Sequence, residues 1–393
     1  MASILLAIIY LCFISLGLPD SLLGSAWPTI YIQLDLPVSY MAYIAMTISA
    51  GTIISSLLSD RLSHKIGDGL LTAISILLTA VGLLSFSLVN QYWQFFLCAI
   101  PYGLGAGGVD AALNNYVALH YKAKHMSWLH CMWGIGAFVS PNIMAFGLTH
   151  RGWHQGYFIV FVIQAIISLV VFLSLPLWKK AEKVPNNEKS DEPKPKHLGV
   201  FGVLKLPCAL LAFFAFFSYC SIENVCFQWS ASYLVIVKGV SEEIAANSVS
   251  FLYLGMALGR LTSGFLTVKF SDLTLIRVGE AIIFASLLGI IFIPNSIASV
   301  VCLCILGFGA GPIYPSIVHS TPQMFGKENS QAVIGIQMAF AYVAGLGIPP
   351  LFGLFADHVG VWVFPFFTSF FLVLTILLYE IAVSVKKKTL QNN

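Results

Sequence analysis

Charge is what this sequence has least of. Only 9% of its 393 residues are Asp, Glu, Lys or Arg, against about 25% in an ordinary soluble domain. So dilute a charge excludes a soluble enzyme, a nucleic-acid binder and a disordered chain. Signatures of catalysis are missing too. No HExxH, Gly-x-Ser-x-Gly or P-loop occurs, and no metal-ligand cluster stands at helical spacing, so no enzyme, cofactor or metal is expected. The eight cysteines lie in apolar segments without CxxC spacing and read as small core residues. There is no N-x-Ser/Thr acceptor, CaaX ending or myristoylation start. The apolar run opening at Ile4 lacks a basic flank and outruns signal-peptide length, so no removable leader is expected.

What is present is apolar. Hydrophobic residues make up 58% of the chain, and mean hydropathy is +0.87. A spanning helix takes roughly 20 apolar residues, so about twelve of them would use about 240 positions. Breaks in the apolar pattern predict spans at 4–30, 38–60, 69–90, 93–119, 127–149, 153–178, 205–236, 242–268, 274–294, 297–320, 330–355 and 360–384. The stretch from Lys179 to Lys196, rich in Pro, Asn, Lys and Glu, cannot bury enough apolar surface to fold. It is also too short for the soluble domain of a receptor. The expectation is an all-α membrane protein: a six-helix bundle over 1–178, a linker over 179–204 and a second bundle over 205–393.

The two halves repeat. Gly103-x-Gly105-x-Gly107 recurs as Gly307-x-Gly309-x-Gly311, an offset of 204 that also pairs Gly51 with Gly255, Lys65 with Lys269 and Asp20 with Asn224. Pro141 and Trp153 find Pro350 and Trp362 at an offset of 209. Six spans per half is an even number, so both halves share one orientation about an axis along the membrane normal. Basic residues set that orientation. Seventeen lie on the side of the linker and both termini, and only Arg151 and Lys238 lie opposite. Linker and termini are therefore predicted cytoplasmic in a cell (inner) membrane.

Ionisable groups at membrane depth are costly unless they face a cavity or a partner. By position they are Asp20, Asp110, Glu223, Arg260 and Glu280, with His130 a sixth. Asp110 follows Gly103, Gly105, Gly107 and Gly108, which let another helix approach closely, and Asn114 shares its helical face. An acid there, beside a water-accessible cavity, takes and releases a proton as the cavity opens to one side or the other. Asp20 sits between Pro19 and Gly24, where the helix is weakened. On the seventh span Glu223 and Phe227 share a face, and Asn224 and Gln228 the adjacent one. On the fifth, His130 and Trp133 align. Amides, an acid and aromatics suit a sugar, whose hydroxyls take hydrogen bonds while its C–H face stacks on a ring. Arg260, near a cytoplasmic span end, and the loop around Asp60-Arg61 are expected to close an inner gate.

These motifs resemble the fucose permease branch of the major facilitator superfamily. Leu18-Pro19-Asp20-Ser21-Leu22-Leu23 is similar to its Leu-Asn-Asp-x-Leu-Leu, and Gly105, Gly107, Asp110 and Asn114 fall on its Gly-x-Gly-x-x-Glu-x-x-x-Asn. Leu62-Ser63-His64-Lys65-Ile66-Gly67, Gly259-Arg260 and Tyr314-Pro315 extend the likeness through both halves. The resemblance implies the major facilitator fold and a monomer in the lipid bilayer that carries a sugar with a proton. It makes Asp20 and Asp110 the coupling acids, with Glu223 a third candidate, and Asn114, His130, Trp133, Asn224, Phe227 and Gln228 the substrate contacts. Departures fall in the expected cavity: Asp for Glu in the fourth span, His130 and Trp133 for Gln and Asn, and Glu223 for Gln. A proton–drug antiporter is the alternative. Its fifth-span motif Gly-x8-Gly-x3-Gly-Pro-x2-Gly-Gly meets Ser127, Gly136, Ser140, Pro141, Met144 and Ala145 here, two matches of six. A lipid flippase fits the polar cavity residues less well.

In a cysteine-free background, single cysteines placed at Asn187 and Lys387 are expected to resist impermeant maleimides in intact cells and to react once the cells are lysed. Labelling of either from outside would reverse the orientation.

Overall fold

A computed structural model of the chain describes residues 2–37, 40–182, 198–240 and 242–391. Most of the predicted linker, with Asn187, lies outside the described residues. Among the described residues there are helices and no strand, and twelve helices are long and apolar enough to cross a membrane. The first span is α1 (Ala2–Asp20) followed by α2 (Leu22–Gln33), broken at the weak point around Pro19. Next come α3 (Met41–Ile66), α4 (Asp68–Phe86), α5 (Tyr92–His120), α6 (Ala123–His150), α7 (Trp153–Glu182) and the short α8 (Gly199–Val203). After these follow α9 (Ala209–Ile236), α10 (Glu242–Leu266), α11 (Asp272–Phe292), α12 (Ser296–Ala310), α13 (Ile313–Phe325), α14 (Ser330–Val359) and α15 (Phe364–Gln391). The tenth span is the pair α12–α13, interrupted at Gly311-Pro312 because proline has no N–H to give the helix.

One predicted boundary moves. Asp60 and Arg61 were expected in a loop after residue 60, yet both lie inside α3, which runs to Ile66. The helix continues through this polar stretch because Asp60 and His64 pair across one turn at 3.7 Å. It stops at Gly67, whose φ of 81° suits glycine alone. There the Gly67 N–H bonds the Ser63 carbonyl at 2.8 Å, and the Ser63 hydroxyl bonds the Asp68 carboxylate.

Lipid offers no hydrophobic drive between helices, so close contact of small residues has to hold them. A methyl group at Gly103 or Gly107 of α5 would overlap the carbonyl oxygens of Ile48 and Thr52 on α3, and one at Gly105 that of Ser75 on α4. The second half repeats these contacts with every residue advanced by 204. Gly307 and Gly311 abut the carbonyls of Leu252 and Met256, and Gly309 packs against the carbonyl of Gly279. The repeat is thus one of backbone contacts as well as letters. Trp178 of α7 fills the notch left by Gly69 of α4, and Tyr116 of α5 packs on it at 4.9 Å.

The chain packs as two compact units, Met1–Tyr116 with Met132–Val200, and Val117–Cys131 with Phe201–Asn393. The segment 117–131 therefore packs with the second unit, although by repeat it belongs to the first half. Its anchor is Trp128, whose indole occupies the space a side chain at Gly264 would need and meets Phe265 at 5.4 Å.

Substituting Gly103→Ala or Gly307→Ala is expected to cost about 1–3 kcal/mol through overpacking. Gly134→Ala, where nothing lies within 4 Å of the added methyl, leaves stability equal or slightly higher. Thermal unfolding of the detergent-solubilised variants measures both. Equal melting of all three would mean that these contacts do not hold the bundles.

Candidate functional site

Two polar clusters stand inside the helices, one per unit. In the first unit Gly17 and Gly136 bring the backbones of α1 and α6 together, and the Ser21 hydroxyl bonds the Ala137 carbonyl at 2.9 Å. That junction holds Asp20, the last residue of α1, beside Trp133. The indole Nε1–H donates to the Asp20 carboxylate at 2.7 Å, and Asp20 itself is exposed. Behind it a cavity of about 10 Å³, lined by Asp20, Thr79, Tyr102 and Val109, is at the lower limit for one water.

Asp110, next to Val109 on α5, is buried. Asn114 Nδ2 donates to its carboxylate at 2.8 Å and to its backbone carbonyl at 3.0 Å. The glycines that precede Asp110 bring α3 and α4 onto α5.

In the second unit Glu223 falls midway along α9 and is buried, as is Arg260 of α10. Arg260 Nη2 stands 3.7 Å from Glu223 Oε1, and Nη1 reaches the carbonyl of His130 at 3.5 Å. The Tyr219 hydroxyl, one turn before Glu223, lies 2.6 Å from the carboxylate and 2.7 Å from the Ala310 carbonyl. With one proton it donates to only one of them at a time. The His130 ring packs edge-on against Tyr314 at 4.7 Å, and Tyr314 in turn against Phe216.

Arg260 is paired with Glu223. Asp60 is buried against His64, and Arg61 is exposed. His130 falls in the second unit and Trp133 in the first, the division running through α6. Of the predicted α9 residues, Asn224 is half-buried with Nδ2 on the Cys220 carbonyl, Phe227 stacks flat on Tyr253 at 4.0 Å, and Gln228 is exposed. Trp229 bonds the Pro349 carbonyl at 3.0 Å, a packing role. Glu280 is buried on α11, whose Arg277 holds Glu380 through two bonds of 2.6 and 2.8 Å. Tyr219 and Tyr102 were missed. The spacing Tyr219-x3-Glu223 was the available signal for the first; nothing local pointed to the second.

The model of the Major Facilitator Superfamily matches residues 9–346 and 254–392. Bypass of stop codon protein 6 of Saccharomyces cerevisiae is 23% identical over 385 residues, spanning 90% of this chain and 77% of that protein. The glucose/mannose transporter GlcP of Bacillus subtilis is 24% identical over 273 residues, 68% of this chain and 66% of that one. Among solved structures, the transporter FucP in its outward conformation superposes with a TM-score of 0.79 at 16% identity, over 96% of this chain and 98% of that one. The proton:xylose symporter XylE gives 0.75 at 11% identity, over 96% and 95%. At these identities the structural likeness is one of fold.

Arg260→Ala is expected to destabilise the protein by about 3–5 kcal/mol, because it strands the buried Glu223 carboxylate. Adding Glu223→Gln should recover most of that loss, since a neutral amide needs no cation. Melting temperatures of the two single variants and the double variant close the cycle. Purely additive losses would mean that the two side chains do not interact.

Proposed function

The chain belongs to the Major Facilitator Superfamily, a family of membrane transporters, and on that premise we propose that it is a symporter taking up a sugar together with protons by alternating access. The observation that carries this reading is the pairing of an exposed acid with a buried one in a single unit. Asp20 presents its carboxylate beside an indole, and Asp110 lies behind it on an amide donor. A carboxylate next to an aromatic plane suits a sugar, and a buried acid held by a neutral amide suits the gain and loss of a proton. GlcP and XylE, named for glucose, mannose and xylose, support the substrate class. A monomer in the cell (inner) membrane with both termini cytoplasmic completes the proposal.

In the cycle, Asp110 takes a proton while the cavity faces outward, and the neutral form permits sugar binding. Facing inward, it loses the proton to the cytoplasm. Asp20 binds the sugar directly. Asn114 steadies Asp110 in either state, because its amide donates to a carboxylate and to the carbonyl oxygen of an acid alike. Asn224, Phe227 and Gln228 are the substrate contacts proposed for α9, and Trp133 and His130 those for α6. Glu223 is the reserve proton carrier: once protonated it donates to Tyr219, which is then free to serve the Ala310 carbonyl. Asp60, Arg61 and Arg260 are proposed to stabilise the closed inner gate.

Asp110→Asn is expected to abolish sugar accumulation driven by a pH gradient while keeping sugar–sugar counterflow in proteoliposomes. Asp20→Asn should weaken both, by about tenfold in affinity for one lost charged hydrogen bond. Accumulation by Asp110→Asn would assign the proton elsewhere, with Glu223→Gln the next variant. Absence of sugar counterflow in the unmodified protein would overturn the substrate class itself.

A further inference from the structure

A second concave site lies wholly within the second unit, away from the acids described above. It is a cavity of about 520 Å³, the size of pockets that hold small metabolites. Three lysines line it from distant parts of the chain: Lys122 between α5 and α6, and Lys386 and Lys387 near the end of α15. His319 of α13 and Asp272 of α11 also line it, bonded to each other at 2.7 Å. Asp272 uses only its Oδ2 in that bond. Its Oδ1 is buried with no hydrogen-bond partner among the described residues.

The preference of basic residues for one membrane face accounts for lysines at this end, but not for their convergence on one hollow. Lysine ammonium groups bind phosphate as point charges, and three of them outweigh the single carboxylate already held by His319. We propose that this cavity binds a phosphate ester of a polyol, with the phosphate on Lys122, Lys386 and Lys387. A free sugar phosphate and the glycerol-phosphate headgroup of a lipid share that chemistry. The site is separate from the sugar and proton site, so its occupancy is read without any transport measurement.

The test uses the full chain and two probes. Glucose 6-phosphate is titrated into detergent-solubilised protein by calorimetry. Retained lipid is counted by native mass spectrometry after incorporation into phosphatidylcholine nanodiscs with or without phosphatidylglycerol. Binding of glucose 6-phosphate supports a soluble ligand, and specific retention of phosphatidylglycerol supports a headgroup. In either arm the triple variant Lys122→Gln/Lys386→Gln/Lys387→Gln should bind at least about tenfold more weakly. Lys269→Gln/Lys327→Gln, which removes exposed charge outside the cavity, should bind as the unmodified protein does. Equal loss in the two lysine variants would mean diffuse surface charge and overturn the proposal, as would binding of neither probe by the unmodified protein.

Discussion

Close approach of helix backbones is the constraint on which the rest of this structure depends. Inside a membrane the lipid is as apolar as the helices, so contact distance must supply what exclusion of water supplies elsewhere. Glycines at i and i+4, Gly103 and Gly107 on α5 and Gly307 with Gly311 at the end of α12, let the neighbouring carbonyls come into direct contact. The same contacts place the charges. Asp110 comes two residues after Gly108, so its side chain is carried into the buried seam. Arg260 follows Gly259, which abuts the Phe308 carbonyl, and a side chain at Gly311 would collide with the Arg260 backbone. Neither ionisable residue could move by one position without losing its packing seam.

Much of this was legible in the sequence because it is periodic. Twelve apolar stretches, the glycine triplets and the offset of 204 needed no distant contact to be read. Asp110 and Asn114 were also legible as a pair, since four residues is one helical turn. What the sequence could not display is which helices meet. Glu223 and Arg260 stand on different helices, 37 positions apart by their numbering, so their ion pair is a product of α9 and α10 coming together. Trp133 and Asp20 are likewise far apart in sequence and joined by the α1–α6 crossing. The stretch around Asp60 misled for a different reason. Its polarity reads as a loop, but an i,i+4 pair and a glycine stop keep it helical.

The duplication preserved contacts and let side chains diverge. At the offset of 204, Asp20 answers to Asn224 and Asp110 to Tyr314, while Glu223 answers to Pro19 and Arg260 to Ser56. Ser56 is itself buried, its hydroxyl on the Gly107 carbonyl at 3.3 Å. A seam that one copy closes with a serine therefore carries an arginine in the other. The backbone frame tolerates this because the glycine contacts, not the variable side chains, hold the helices at their spacing.

The two clusters consequently respond to a proton in different ways. Asp20 and Asp110 are held by an indole N–H and an amide N–H. Neutral donors of this kind serve a carboxylate and the carbonyl oxygen of a carboxylic acid alike, so both acids keep these partners across a change of charge. Glu223 faces a guanidinium at 3.7 Å, and that attraction exists only while the carboxylate is ionised. A proton arriving there cancels that attraction, while the contact of Arg260 with the His130 carbonyl at 3.5 Å does not depend on the charge of Glu223.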